Sequence, residues 1–404
     1  MKQMATTVSM KSSASRRLWL AFVLGVLSAF GPFCLDMYLP ALPMLANELQ
    51  TSASYAQLSL TACMIGLAAG QLFAGPISDV RGRRMPLILG LLLYIVSSLL
   101  CMFTQSVWVF IFLRFLQGVA GAVGIVLSKA MVRDLYSGSE LTKFFALLML
   151  VNGAAPIIAP IAGGQLLEIT SWRGIFFVLS LIGVFSLISV VWSLGETLPP
   201  ERRLQGGMKQ TFISMGHILC DRLFMGYALS QGLVTAAMFA YIAGSPFVLQ
   251  NIYNFTPQMF SVYFAINGIG IIIATQVTGR LSGRYGETKL LIVGLSLAAV
   301  SGIALLVAVI LNANIFAVLI PLFFLVSCVG IVGTTTFSLA MAKQEKTAGS
   351  AAALLGLLSF LFGGIVAPLV GMGGEHTALP MAVIIAVTEI LALVLYFVMA
   401  HRQK

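Results

Sequence analysis

Three ionisable residues stand inside long apolar runs of this chain, and they are the groups best placed to do chemistry: Asp36, Arg114 and Glu389. A charge at mid-bilayer costs at least ~2.5–3.5 kcal/mol on insertion scales, so such residues mark pathways, proton relays or buried pairs. A carboxyl in a poorly hydrated cavity gains proton affinity from desolvation and loses it to a nearby cation. Asp36, toward the outer end of the first run, is therefore the first candidate for a group that takes up and releases a proton. Glu389, midway along the last run, is a second. Arg114 has no charged neighbour on its own segment, which calls for a partner from another one.

A different chemistry is written in Gly75-Pro-Ile-Ser-Asp79-Val-Arg81-Gly82-Arg83-Arg84, where one carboxylate is set among arginines in a glycine-rich turn between two apolar runs. A solvated loop would explain the arginines but not the glycines or the single acid. The group Gly75, Asp79, Arg81, Gly82, Arg83 and Arg84, joined by Asp134, reads as a conformational latch. Its frame returns at Gly279-Arg-Leu-Ser-Gly283-Arg-Tyr-Gly286 without the acid, which suggests two related halves.

The elements that must position these groups follow from composition. At 59% hydrophobic and 9% charged, with a mean hydropathy of +1.01, the chain of 404 residues has too little polar surface for a soluble globule. Runs of about twenty apolar residues, enough to cross a ~30 Å hydrocarbon core as helix, predict about twelve spans: 18–39, 53–76, 86–104, 107–128, 143–167, 174–194, 223–249, 258–279, 289–311, 315–341, 347–371 and 378–399. Uninterrupted runs favour helices over a barrel's alternating strands. The fold class is thus an all-α membrane protein.

The net charge of +10 is not a nucleic-acid footprint, because the cations occupy every alternate loop. They precede span 1, follow span 2, lie between spans 4 and 5 with Lys129, Arg133 and Lys143, and continue through the linker to the C-terminal tail. Only Arg114 and Arg173 fall elsewhere. This is the positive-inside distribution, which places both termini in the cytoplasm. The short basic lead and long first run predict no cleaved signal peptide. The polar break at 195–222 separates a bundle at 18–194 from one at 223–399, with tails at 1–17 and 400–404.

The five cysteines lack metal or disulfide spacing, and the three histidines fall in linker, loop and tail, leaving no intramembrane catalytic set. No phosphate-binding loop of Gly-x-x-x-x-Gly-Lys type is present. The expectation is no enzyme, no metal and no cofactor. Span 5 carries Asn152, Gly153, Pro156, Ala159, Pro160, Gly163 and Gly164, with small residues at four-residue spacing that let helices approach closely. Span 11 has Gly363, Gly364 and Pro368 in nearly the equivalent place, and such paired interruptions point to a moving interface. Tyr38, Gln117, Asn152, Tyr241, Phe264 and Asn267 supply the aromatic and amide groups that suit an amphipathic binding cavity.

These motifs resemble the major facilitator superfamily in its twelve-span drug:proton antiporter branch. The loop motif lies at Gly75, Ile77, Asp79, Gly82, Arg83 and Arg84; a second at Arg114, Gln117, Gly118, Ala120, Gly121 and Ala122; and the antiporter motif at Gly153 to Gly164, with Ala159 where the family has glycine. Leu35-Asp36-Met-Tyr38-Leu-Pro40, Arg133-Asp134-Leu135-Tyr136 and Trp172-Arg173 look most like the bicyclomycin-resistance (Bcr/CflA) subfamily. The resemblance implies two six-helix bundles around a central cavity in the cell membrane, and a monomer exporting small drug-like molecules in exchange for protons. It pairs Arg114 with Asp36, and sets the Asp79 loop against the start of span 11 near Thr347. The alternatives are export of a metabolite or amino acid, and proton-coupled import of a nutrient.

Overall fold

Within hydrocarbon no water can satisfy backbone N–H and C=O groups, so apolar runs of this length close their hydrogen bonds as helices. The computed structural model describes residues 14–136, 138–203, 216–342 and 348–400, and among these residues no strand occurs. The N-terminal half comprises α1 (Ala14–Ser28), α2 (Phe30–Asp36), α3 (Leu42–Glu48), α4 (Ala53–Arg81), α5 (Arg84–Phe103), α6 (Val107–Leu135), α7 (Gly138–Leu166) and α8 (Trp172–Ser193). The C-terminal half comprises α9 (Arg222–Phe247), α10 (Pro257–Tyr285), α11 (Glu287–Ile310), α12 (Ile315–Met341), α13 (Ala348–Gly371) and α14 (Leu379–Leu395). Among the described residues ten helices are long and apolar enough to cross a membrane, the bent first segment makes an eleventh, and α7 is helical over 29 residues. The arrangement is compatible with twelve crossings.

The first segment is broken rather than a single helix over 18–39. Its two arms, Leu18–Ser28 and Phe30–Glu48, meet at 40°. Pro32 has no N–H to donate to the Ser28 carbonyl, and Pro40 has none for that of Asp36, so the intrahelical ladder fails at both places. Asp36 consequently ends α2, just before the 3₁₀ turn Leu39–Ala41. Elsewhere the helices outrun their apolar cores: α4, α6 and α10 continue into their basic turns, to Arg81, Leu135 and Tyr285. α7 stays helical through Pro156 and Pro160.

Within the first bundle α4 lies along α6 at glycines. A Cβ on Gly66 would overlap the Phe115 carbonyl, and one on Gly118 the Cys63 carbonyl. Backbones this close gain dispersion contacts that larger side chains would prevent. The two bundles meet where α4 packs on α13 and α7 on α10. Hydrogen bonds pin the seam at its outer end. Ser54 Oγ donates to the Pro368 carbonyl at 3.2 Å, and Gln57 Nε2 to that of Ala243 at 3.0 Å. Gln250 Nε2 donates to the Pro40 carbonyl at 3.1 Å, and Gln258 Nε2 to that of Gly164 at 3.0 Å. A Cβ on Gly163 would strike the Met37 carbonyl, so α7 touches the chain one residue beyond Asp36.

Candidate functional site: a cavity between the bundles

Inward of these pins the bundles line a half-open cavity of about 490 Å³. Its walls are largely apolar, with Ile125, Pro156, Met238, Phe239, Phe264 and Phe360 among them, and its polar lining includes Asp36, Gln71, Lys129, Asn152, Tyr241 and Asn267. Asp36 is 7% exposed and makes no hydrogen bond or ion pair among the described residues. Tyr241 stacks on Phe264 with centroids 5.6 Å apart, and its hydroxyl accepts from Asn267 Nδ2 at 2.8 Å. That bond fixes the amide's orientation and leaves Asn267 Oδ1 buried without a partner. Asn152 Nδ2 donates to Ser28 Oγ at 2.6 Å and to the Leu148 carbonyl at 2.8 Å. It therefore ties α7 to the end of α1.

Four of the six residues expected to bind substrate line this cavity: Asn152, Tyr241, Phe264 and Asn267. Tyr38 and Gln117 do not. They build a socket around Arg114, which is fully buried. The guanidinium lies 4.3 Å from the Tyr38 ring centroid and 5.6 Å from that of Phe176, and it donates to Gln117 Oε1 and, at 2.6 Å, to the Cys34 carbonyl. Gln117 Nε2 passes the chain on to Ser98 Oγ at 2.7 Å, and Tyr38 Oη meets Ser59 Oγ at 3.0 Å.

The expected Arg114–Asp36 pair is thus not formed. The reason is local: the last carbonyls of a helix lack intrahelical donors, and the Cys34 carbonyl near the end of α2 takes the guanidinium. Arg114 holds the backbone two residues before Asp36 rather than its carboxylate. Glu389 departs from expectation too. It is 0% exposed, does not line the cavity, and both carboxylate oxygens lack a partner, in a helix packed against α9 and α11.

The basic turn after α4 is a network. Arg83 Nη1 donates to Asp79 Oδ1 at 2.5 Å and to Ser78 Oγ at 2.7 Å, while its Nε donates to Asp134 Oδ2 at 3.0 Å. Thr197 Oγ1 donates to the same Asp134 oxygen at 3.1 Å. Gly82 has φ +92°, a conformation that disfavours any side chain, and a Cβ there would meet the Glu196 carboxylate. Arg84 Nη2 donates to the Val191 carbonyl at 2.9 Å, and Arg81 is exposed. Gly75 lies against Val126 with room for a Cβ. The expected contact near Thr347 lies outside the described residues. In the echo, Gly286 keeps the turn at φ +80°, and Gly279 and Gly283 face open space.

Glu196 escaped the sequence reading, although it organises this turn. Its Oε1 accepts from the backbone N–H of Arg83 at 2.8 Å and of Leu198 at 3.0 Å, and its Oε2 from that of Arg84 at 3.2 Å. Burial pushes its carboxyl up, but these N–H groups and the Arg203 charge outweigh that and hold it below the usual carboxylate range. Burial likewise disfavours the Arg83 cation, and Asp134 and Asp79 more than restore it. The sequence does carry one indication. α5 begins at Arg83-Arg84 with no Ser, Thr, Asp or Asn to cap its free N–H groups, so an acceptor must come from elsewhere. Which acid supplies it is a tertiary fact. The exceptional outer cation, Arg173, is similarly accounted for: it pairs with Glu48, which also accepts from Trp172 Nε1 at 2.5 Å.

Three comparisons bear on this architecture. A family model described as Major Facilitator Superfamily matches residues 19–368. The chain is 44% identical over 387 residues to a Bacillus subtilis protein named uncharacterized MFS-type transporter YdgK, covering 95% of this chain and 96% of that one. It is 30% identical over 382 residues to the bicyclomycin resistance protein homolog of Haemophilus influenzae, covering 94% and 96%. Among solved structures, a bacterial homolog of the human lysosomal transporter Spinster, inward-facing and occupied, superposes with a TM-score of 0.76 at 14% identity over 97% of this chain and 98% of that one. At that identity the likeness speaks for the fold.

Proposed function

The chain belongs to the major facilitator superfamily as a multi-pass transporter of the cell membrane, and from that premise we propose that it exports small amphipathic, drug-like compounds in exchange for protons. One observation carries the reading: a carboxylate without a partner among the described residues, Asp36, on the wall of a mostly apolar cavity at the seam of the bundles. The likeness to a bicyclomycin resistance homolog supports a drug-like cargo.

In the proposed cycle, deprotonated Asp36 favours a compound entering from the cytoplasm, and protonation from outside favours its release. Arg114 acts through the backbone, holding the Cys34 carbonyl and hence the break that presents Asp36 to the cavity. Gly163 against Met37 couples that break to α7 and, through Gly164 on Ser261, to the second bundle. The Asp79–Arg83–Asp134 group, with Arg81 and Arg84 flanking it, is the latch that stabilises one arrangement of the cytoplasmic ends. No step is proposed for Glu389. One proton moved inward across 100 mV supplies ~2.3 kcal/mol, enough for a roughly fifty-fold gradient of a neutral compound, so a single carboxyl suffices.

The test uses inverted vesicles loaded with the transporter. Drug addition should release protons from wild type, and Asp36→Asn should abolish that release while the protein still folds. Undiminished release from Asp36→Asn would remove Asp36 from the mechanism, and drug resistance that survives an uncoupler would remove the proton.

A further inference from the structure

Lys129 counts in the sequence as one more cytoplasmic loop cation, but the structure places it within α6 on the cavity wall. It has no ion-pair or hydrogen-bond partner among the described residues. The same cavity carries Asp36, also unpaired. The two charges do not neutralise each other. Gly31 of α2 faces Ile125 of α6; from that level, at 1.5 Å per residue, Lys129 lies inward and Asp36 outward, roughly 13 Å apart along the bundle.

Other polar groups line the same cavity: Ser28, Gln71 and Asn152, and the bonded pair Tyr241 and Asn267. Asn267 Oδ1 is an unsatisfied buried acceptor, and its amide is held by Tyr241 in the wall that also contains Asp36. The cavity therefore offers two acceptors without a partner among the described residues, Asp36 and Asn267 Oδ1, and one cation, Lys129, among apolar and aromatic walls. Groups left unpaired on a largely apolar wall reward a ligand that supplies the missing partners and penalise one that does not.

We propose that this cavity selects amphipathic zwitterions, whose anionic group pairs with Lys129 while a protonated amine reaches Asp36 and Asn267. This rests on the exporter reading above and names the charge pattern of its cargo. A compound with only a cationic head leaves Lys129 unpaired, and one with only an anionic head leaves the acceptors unpaired.

The probe is Nα-dansyl-L-lysine, whose carboxylate and ε-ammonium stand at opposite ends of a four-carbon stem on a fluorescent apolar body, compared with its methyl ester, which lacks the carboxylate. Fluorescence titration of the purified full chain should show wild type preferring the zwitterion. Lys129→Met should weaken zwitterion binding about tenfold or more while leaving the ester within about twofold, because one charge-assisted bond is lost in the first case alone. Lys129→Arg, which keeps the charge, should retain the preference and shows whether a loss stems from misfolding. Absence of a zwitterion preference in wild type, or equal effects of Lys129→Met on both probes, would overturn the proposal. Transport of the same probes in proteoliposomes separates the two readings. Gradient-driven transport of both without preference defeats the zwitterion site and leaves proton-coupled export standing. A Lys129-dependent preference with transport indifferent to the proton gradient does the reverse.

Discussion

Replacing Glu196 tests whether a linker carboxylate fastens the basic turn. In Glu196→Ala the backbone N–H groups of Arg83, Leu198 and Arg84 lose acceptors at 2.8, 3.0 and 3.2 Å. Bonds to a charged acceptor are each worth ~1.5–3 kcal/mol when fully protected. This side chain is 30% exposed, so water takes over much of the role, and the total falls to roughly 2 kcal/mol. Arg203, at 3.9 Å, adds little. For a cooperative unit of bundle size this corresponds to a fall of about 4–8 °C in Tm. Glu196→Gln keeps one acceptor oxygen and should lose about half as much. The assay is thermal unfolding of the purified protein against pH. The carboxyl is held below its ordinary value in the folded state, so the contribution of its charge is complete above the unfolded pKa of about 4.3 and disappears as pH falls through the lower folded value. Wild type and Glu196→Ala should therefore differ most at pH 7, and in acid the gap should narrow to about that between Glu196→Gln and Glu196→Ala, since the protonated carboxyl keeps one acceptor oxygen. Equal melting at pH 7, or a gap that does not narrow below pH 4, would refute the reasoning.

Three further substitutions probe the cavity and its surroundings. Gly163→Ala forces a methyl group against the Met37 carbonyl and should cost ~1–3 kcal/mol as overpacking and lower transport, whereas Gly153→Ala, whose Cβ would sit 3.8 Å from Ile272, should leave both unchanged; paired melting and flux measurements check this. Glu389→Leu removes two buried oxygens that have no partner, so it should hold or raise stability by ~1–3 kcal/mol and leave protons released per drug unchanged. A lost proton signal there would move part of the coupling into the second bundle.

The membrane class and the helical fold were legible in the sequence, because they depend on sums. Twenty apolar residues must be helical in lipid whatever they touch, and loop cations orient the chain without reference to packing. The pairing of Asp79 with Arg83 was legible for a related reason: the two stand four residues apart across the single turn at Gly82, so the contact is local in sequence. Pairings that span the chain were not. Nothing linear says that Arg114 is taken by the Cys34 carbonyl, that Tyr38 and Gln117 close around it, or that Glu196 caps α5 from beyond α8.

The sequence by itself determined which residues could carry charge into the membrane: Asp36, Arg114 and Glu389. Only the tertiary structure decided what each charge faces. Asp36 looks into a cavity, Arg114 into an aromatic socket, Glu389 into an apolar bundle interior, and Lys129, ranked as a loop cation, onto the cavity wall. The physical reason is that the cost of a buried charge depends on its whole surroundings, which are assembled from helices far apart in the chain.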